Sequence, residues 1–145
     1  MIPFLFVALA VAPVAHSNAV SAPIAKGDAE RKIRRCIVQP QNPEALRGCI
    51  NDAEKVCPSS GAVDQDGCFV KVDDYVDRYI KYLILHSHSI SRFTAKNYAD
   101  WSKRKRDRCL RDADLDGPSH DIEATFCTID ARMAIIQKHA PSPAS

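Results

Sequence analysis

The clearest pattern in the chain begins at Cys68. In "CFVKVDDYVDRYIKYLIL", Val72, Tyr75, Val76, Tyr79, Ile80 and Leu83 recur at intervals of three and four, so they share one stripe of a helix. Asp74 and Arg78, and Asp77 and Lys81, are spaced to pair on the opposite, wet side. Upstream, "NPEALRGCINDAEKVC" predicts a shorter helix: Asn42 caps it, Pro43 sits where the first turn needs no N–H, and Leu46, Cys49, Ile50, Ala53 and Val56 form the apolar face. Before it, the helical organisation starts with "KGDAERKIRRC", a short basic amphipathic stretch with Asp28 as N-cap, and "PSSGAVDQDG" reads as a loop.

Downstream, the linker "HSHSIS" leads to "FTAKNYADWSKRKRDRCLRDA", with Tyr98, Trp101 and Cys109 inside and a basic exterior. A last helix carries Ile122, Phe126, Ile129, Met133 and Ile136 inward, and "PSPAS" frays at the end. No apolar/polar alternation persists, which argues against strands. The pattern predicts an all-α fold: a small bundle of about four or five helices, with Tyr79 and Trp101 as core anchors.

At 145 residues, 46% hydrophobic and 26% charged, the chain fits one globular domain. Its first 25 residues contain no Lys, Arg, Asp or Glu, and "PFLFVALAVAPVA" followed by "HSNAV" has the shape of a signal peptide cleaved after Ala19. That apolar run falls short of the roughly 20 residues a membrane span needs. The expected layout is a signal peptide over 1–19, an N-terminal helical extension over 20–56, the main helical domain over 57–138 and a disordered tail over 139–145. The mature protein is expected to be periplasmic or secreted.

Export changes how the cysteines are read. All six (Cys36, Cys49, Cys57, Cys68, Cys109, Cys127) lie in the mature chain, and an even count in an oxidising compartment implies disulfides. No CxxC or CxxH pair offers zinc two ligands on one turn. On a single helix Cys49 and Cys57 would stand about 12 Å apart along the axis, beyond the roughly 4.4–6.8 Å that bridged Cα atoms allow. The economical pairing among the 15 possible is sequential: Cys36–Cys49, Cys57–Cys68 and Cys109–Cys127.

"DADLDGPSHDIE" over residues 112–123 matches the calcium-loop pattern, with Asp112, Asp114 and Asp116 alternating, Gly117 at the sharp turn and Glu123 as the closing carboxylate. The proposed Cys109–Cys127 bridge competes with it. Helices flanking a calcium loop leave at a wide angle, roughly 90–140°, whereas a bridge one turn out on each side folds them back as an antiparallel hairpin. The favoured reading is therefore a polar turn with Ser119 capping the last helix, and calcium stands as the minor alternative.

At these same residues, "NYADWSKRKRDRC", "CTIDARMAIIQK" and "CFVKVDDYVDRYIKYL" together resemble the lysozyme inhibitor LprI-like family of small exported bacterial proteins. Cys57 and Cys68 match its first cysteine pair, Asp73 or Asp74 and Tyr79 its first long helix, Trp101 and Cys109 the next element, Gly117 and Ser119 its loop, and Cys127 and Arg132 its end. The resemblance spans residues 57–138. Lys105 stands in place of an expected Arg, Arg132 comes about two residues early, and the Cys36/Cys49 pair is an addition. The resemblance implies a disulfide-stapled helical domain; lysozyme inhibition is an activity attached to a few members of that family, and the fold does not by itself carry it.

Electrostatics supply a rival. Lys103, Arg104, Lys105, Arg106, Arg108 and Arg111 fall within nine residues and would repel a cationic lysozyme, although the net charge is only +2. That helix fits an anionic envelope component such as lipid headgroups or polysaccharide, while Asp112, Asp114, Asp116 and Asp121 offer the opposite sign for a loop-first approach to a cationic protein. Nucleic acid is disfavoured by export and by the lack of interleaved aromatics. Enzyme readings lack a nucleophile elbow, a metal-protease motif and a phosphate loop, and His86 and His88 in the linker have no third ligand nearby. The cysteine gaps of seven and 17 residues also differ from those of six-cysteine insect odorant carriers. The expectation is an exported, non-enzymatic binding protein without a cofactor.

Overall fold

The computed structural model describes residues 22–39, 42–58, 62–86, 90, 93–114 and 117–139. The signal peptide assigned to 1–19, His88, Asp116 and the tail beyond His139 lie outside them. The described residues form five α-helices and no strand: α1 (Asp28–Val38), α2 (Pro43–Glu54), α3 (Ala62–His86), α4 (Ala95–Asp112) and α5 (Pro118–His139). The all-α expectation holds. Among these helices none is long and apolar enough to cross a membrane.

Helix α3 packs along α5, α4 lies against α5, and α1 joins α2 to the α3 face. The core at their meeting contains the stripe of α3 (Val72, Tyr75, Val76, Ile80) and that of α5 (Ile129, Met133, Ile136), with Ile33 of α1 and Leu46 and Ile50 of α2. The same helical spacing that was legible in the sequence thus buries these side chains from three directions.

Three disulfides pin the helices as the spacing predicts: Cys36–Cys49 joins α1 to α2, Cys57–Cys68 joins the end of α2 to α3, and Cys109–Cys127 joins α4 to α5, with Cα separations of 5.8, 5.6 and 5.7 Å. The last of these makes α4 and α5 a closed hairpin. Gly117, at φ 68°, turns the chain into α5 in the left-handed region that favours glycine.

Local departures have physical causes. Asn42 caps α2 as expected, accepting from the Ala45 N–H at 2.8 Å. Asp28 does not cap α1: Gly27 holds that position, and Asp28 enters the first turn, where its carboxylate meets the positive helix end and pairs with Arg31. Ser119 likewise does not cap α5, because Pro118 already occupies the first helical position that suits its missing N–H. The loop "PSSGAVDQDG" shortens from its far end, since α3 starts at Ala62 and its first turns precede the bridged Cys68. Residue His139, expected in the tail, closes α5.

Candidate functional site

Tyr75, not Tyr79, is the fully buried tyrosine of α3, its hydroxyl donating to the Pro23 carbonyl at 3.2 Å. Tyr79 is half-buried and forms a ladder with Tyr75 and Tyr82. The four-residue step from Tyr75 to Tyr79 carries the side chain about 40° around the helix, which separates a core position from a flank. Trp101, expected as a core anchor, is also half-buried, packing on Phe93 and Tyr98 near the start of α4, about two turns from Cys109.

Behind these rings lies an ion network between α3, α4 and α5. Arg132 pairs with Asp73, with both side chains over nine-tenths buried, and approaches Asp77 at 3.3 Å. Arg132 also donates to the Ser102 hydroxyl at 2.7 Å, the Tyr98 hydroxyl donates to Asp77 at 2.9 Å, and Lys81 meets Asp77 at 2.6 Å. The expected Asp77–Lys81 pair forms, but Asp77 is turned partly inward. Asp74 and Arg78 do not join through the carboxylate; Arg78 donates to the Asp74 carbonyl instead.

Burial pushes the Asp73 carboxyl up from its ordinary value, and the Arg132 guanidinium beside it works the other way. Burial also disfavours the Arg132 cation, but the hydrogen bond and charge of Asp73 outweigh it and hold the guanidinium above its ordinary value. Burial pushes the Tyr98 hydroxyl up strongly, so it serves as a donor. Of the residues brought forward by the resemblance, Asp73 and Arg132 therefore meet directly, while Asp74 is exposed.

Asp73 also forms part of a cavity of about 300 Å3 between the same three helices. Asp66, Val70 and Asp73 reach it from α3 at positions i, i+4 and i+7; Asp121, Thr125 and Thr128 reach it from α5 at the same spacing, and Arg106 comes from α4. Thr125 and Thr128 spend their hydroxyl protons on the carbonyls of Asp121 and Ala124, at 2.8 and 2.9 Å. Oxygen lone pairs are what they have left to offer. Asp66 was hidden from sequence reasoning because its segment read as loop; once it is helical, the i, i+4, i+7 repeats on two helices are the signal.

The basic positions divide. Arg104, Arg108 and Arg111 form an exposed i, i+4, i+7 stripe with Lys103 beside it, Lys105 is half-buried, and Arg106 turns toward the cavity. None of these six makes an ion pair among the described residues. At the turn, Asp112 and Asp114 are exposed, and Asp121 meets the His120 ring at 3.4 Å.

The Glu123 carboxylate accepts from the Asp114 N–H at 3.1 Å, tying the turn to α5. Asp116, the third alternating aspartate, lies outside the described residues. Among those described, no three or more His, Cys, Asp or Glu side chains are grouped to hold a metal. His86 is exposed at the end of α3, against Tyr82.

Comparison of the chain with protein-family models, with curated proteins and with solved structures gave no match.

Proposed function

We propose that this is an exported, disulfide-stapled binding protein that docks a cationic protein partner, lysozyme being the first candidate, and works by docking rather than catalysis. The observation that carries this reading is the acceptor-rich cavity between α3, α4 and α5, bordered by Asp121 and close in sequence to the exposed Asp112 and Asp114. Carboxylates at the tip of a bridged hairpin present negative charge on a rigid support, which favours a positively charged partner. The resemblance of residues 57–138 to lysozyme inhibitors supports the choice of partner, and the Asp73–Arg132 pair links two of its marker positions. Three disulfides suit an oxidising compartment, and the charge-free first 25 residues supply a route there.

A second reading rests on a different face. The exposed cations of α4 lack ion pairs among the described residues, which favours contact with anionic headgroups or polysaccharide of the envelope.

A clearing assay separates the readings. Lysozyme acts on bacterial cell walls with excess oxidised mature protein, once in calcium and once in chelator. Slowed clearing in both supports docking without an ion; slowing only in calcium moves the site to Asp112, Asp114, Asp116 and Glu123. Unchanged clearing, together with salt-sensitive sedimentation on anionic vesicles, transfers the function to α4.

A further inference from the structure

We infer that the cavity between α3, α4 and α5 is a receptor for an alkylammonium or guanidinium group. Its volume, about 300 Å3, lies at the lower edge of small-ligand sites, which run roughly 300–1,000 Å3. That is room for one side-chain-sized guest.

The chemistry of its lining decides the sign of that guest. Asp66, Asp73 and Asp121 contribute carboxylates, and Thr125 and Thr128 contribute oxygens whose protons already serve backbone carbonyls. Asp66 Oδ1 is shut off from solvent with no hydrogen-bond partner. A buried acceptor without a donor is costly, and a guest carrying several N–H groups would relieve it. Asp73, nine-tenths buried, lines the same cavity, and Arg132 balances its charge from behind. Val70 and Leu110 supply apolar wall for the methylene stem of such a guest.

Arg106 is the cavity's own cation. Its charge favours the Asp73 carboxylate across the cavity, but it makes no ion pair among the described residues and so is not within ion-pair distance of Asp66, Asp73 or Asp121. A cationic guest would compete with it, and removing it should help. An anionic guest would need it. The assignment of the cavity rests on its lining alone; taking the guest from a protein side chain rests on the partner proposed above.

The test uses oxidised mature protein, Nα-acetyl-arginine amide and Nα-acetyl-lysine amide as probes, and NMR shifts of the Thr125 and Thr128 methyls as readout. Saturable shifts are expected, weakened about tenfold or more by Asp66→Asn and strengthened by Arg106→Gln, with both variants checked for native circular dichroism. Nα-acetyl-glutamate amide should leave the methyls unmoved. Linear, unsaturable shifts, or binding indifferent to Asp66→Asn, would overturn the assignment, as would loss of binding in Arg106→Gln. Two further arms identify the source of the cation. Displacement of the arginine probe by lysozyme points to a protein side chain, while displacement by spermidine with none by lysozyme keeps the receptor and assigns it to free amines, so the partner reading would fail separately.

Discussion

Replacing Arg132 by Met keeps the aliphatic stem while deleting the charge that faces Asp73. Asp77 retains Lys81 at 2.6 Å and the Tyr98 hydroxyl at 2.9 Å, so it stays compensated. Asp73 does not, since its side chain is 6% exposed and Arg132 is its ion-pair partner among the described residues. Stranding one member of a buried pair costs about 3–5 kcal/mol, a large share of the roughly 5–15 kcal/mol of a typical domain. Urea unfolding of the oxidised protein at pH 7, followed by circular dichroism and by Trp101 fluorescence, measures it.

The cost should shrink as pH falls. In the variant the folded state retains a buried Asp73 whose carboxyl is raised, so it binds a proton more readily than the unfolded chain and gains stability toward acid. Asp73→Leu combined with Arg132→Met should recover most of the loss, because a buried ion pair and an apolar pair of similar volume differ little in net stability. A single variant costing less than about 1 kcal/mol, or a double variant as unstable as the single, would refute the description of a desolvated, mutually dependent pair.

Other consequences concern the rest of the fold. Burial, with the Asp130 charge adding, pushes the Glu54 carboxyl from 4.5 up to about 7, so the folded state holds the extra proton and stability from this group is lost as pH rises between those values. The shift corresponds to ~3 kcal/mol, which half-exposure reduces to on the order of 1 kcal/mol; Glu54→Gln should gain about that much above pH 7 and flatten the pH slope in urea melts. Gly117→Ala meets no atom within 4 Å, so its cost comes from the φ of 68° alone and should be about 1 kcal/mol in the same melts. Opening the Cys109–Cys127 bridge with a double Ser substitution frees a loop with sequence separation 18 and should cost about 3 kcal/mol.

The fold was legible where apolar spacing met punctuation. Val72, Val76 and Ile80 on α3, and Ile129 and Met133 on α5, are buried where periodicity put them, and cysteine spacing led to all three bridges because each links cysteines that are consecutive in the chain. Periodicity could not tell Tyr75 from Tyr79, since both lie on the stripe and only packing from elsewhere in the chain, such as the segment whose Pro23 carbonyl meets the Tyr75 hydroxyl, decides which is covered. Ionic partners 59 residues apart in sequence, Asp73 and Arg132, leave no local trace. The cavity was less legible still: Asp66 sits among Gly, Ser and Asp residues that read as loop, and Thr125 and Thr128 look like solvated helix positions until α3 and α4 are set beside them.

Docking of a cationic partner at the α4–α5 turn is tested most directly by calorimetric titration of lysozyme into the oxidised mature protein and into a variant carrying Asp112→Asn, Asp114→Asn and Asp121→Asn, each at low and physiological ionic strength. Saturable binding to the parent is expected, weakening with salt and falling about tenfold or more in the variant. Equal affinity for parent and variant, or no heat with either, would contradict it.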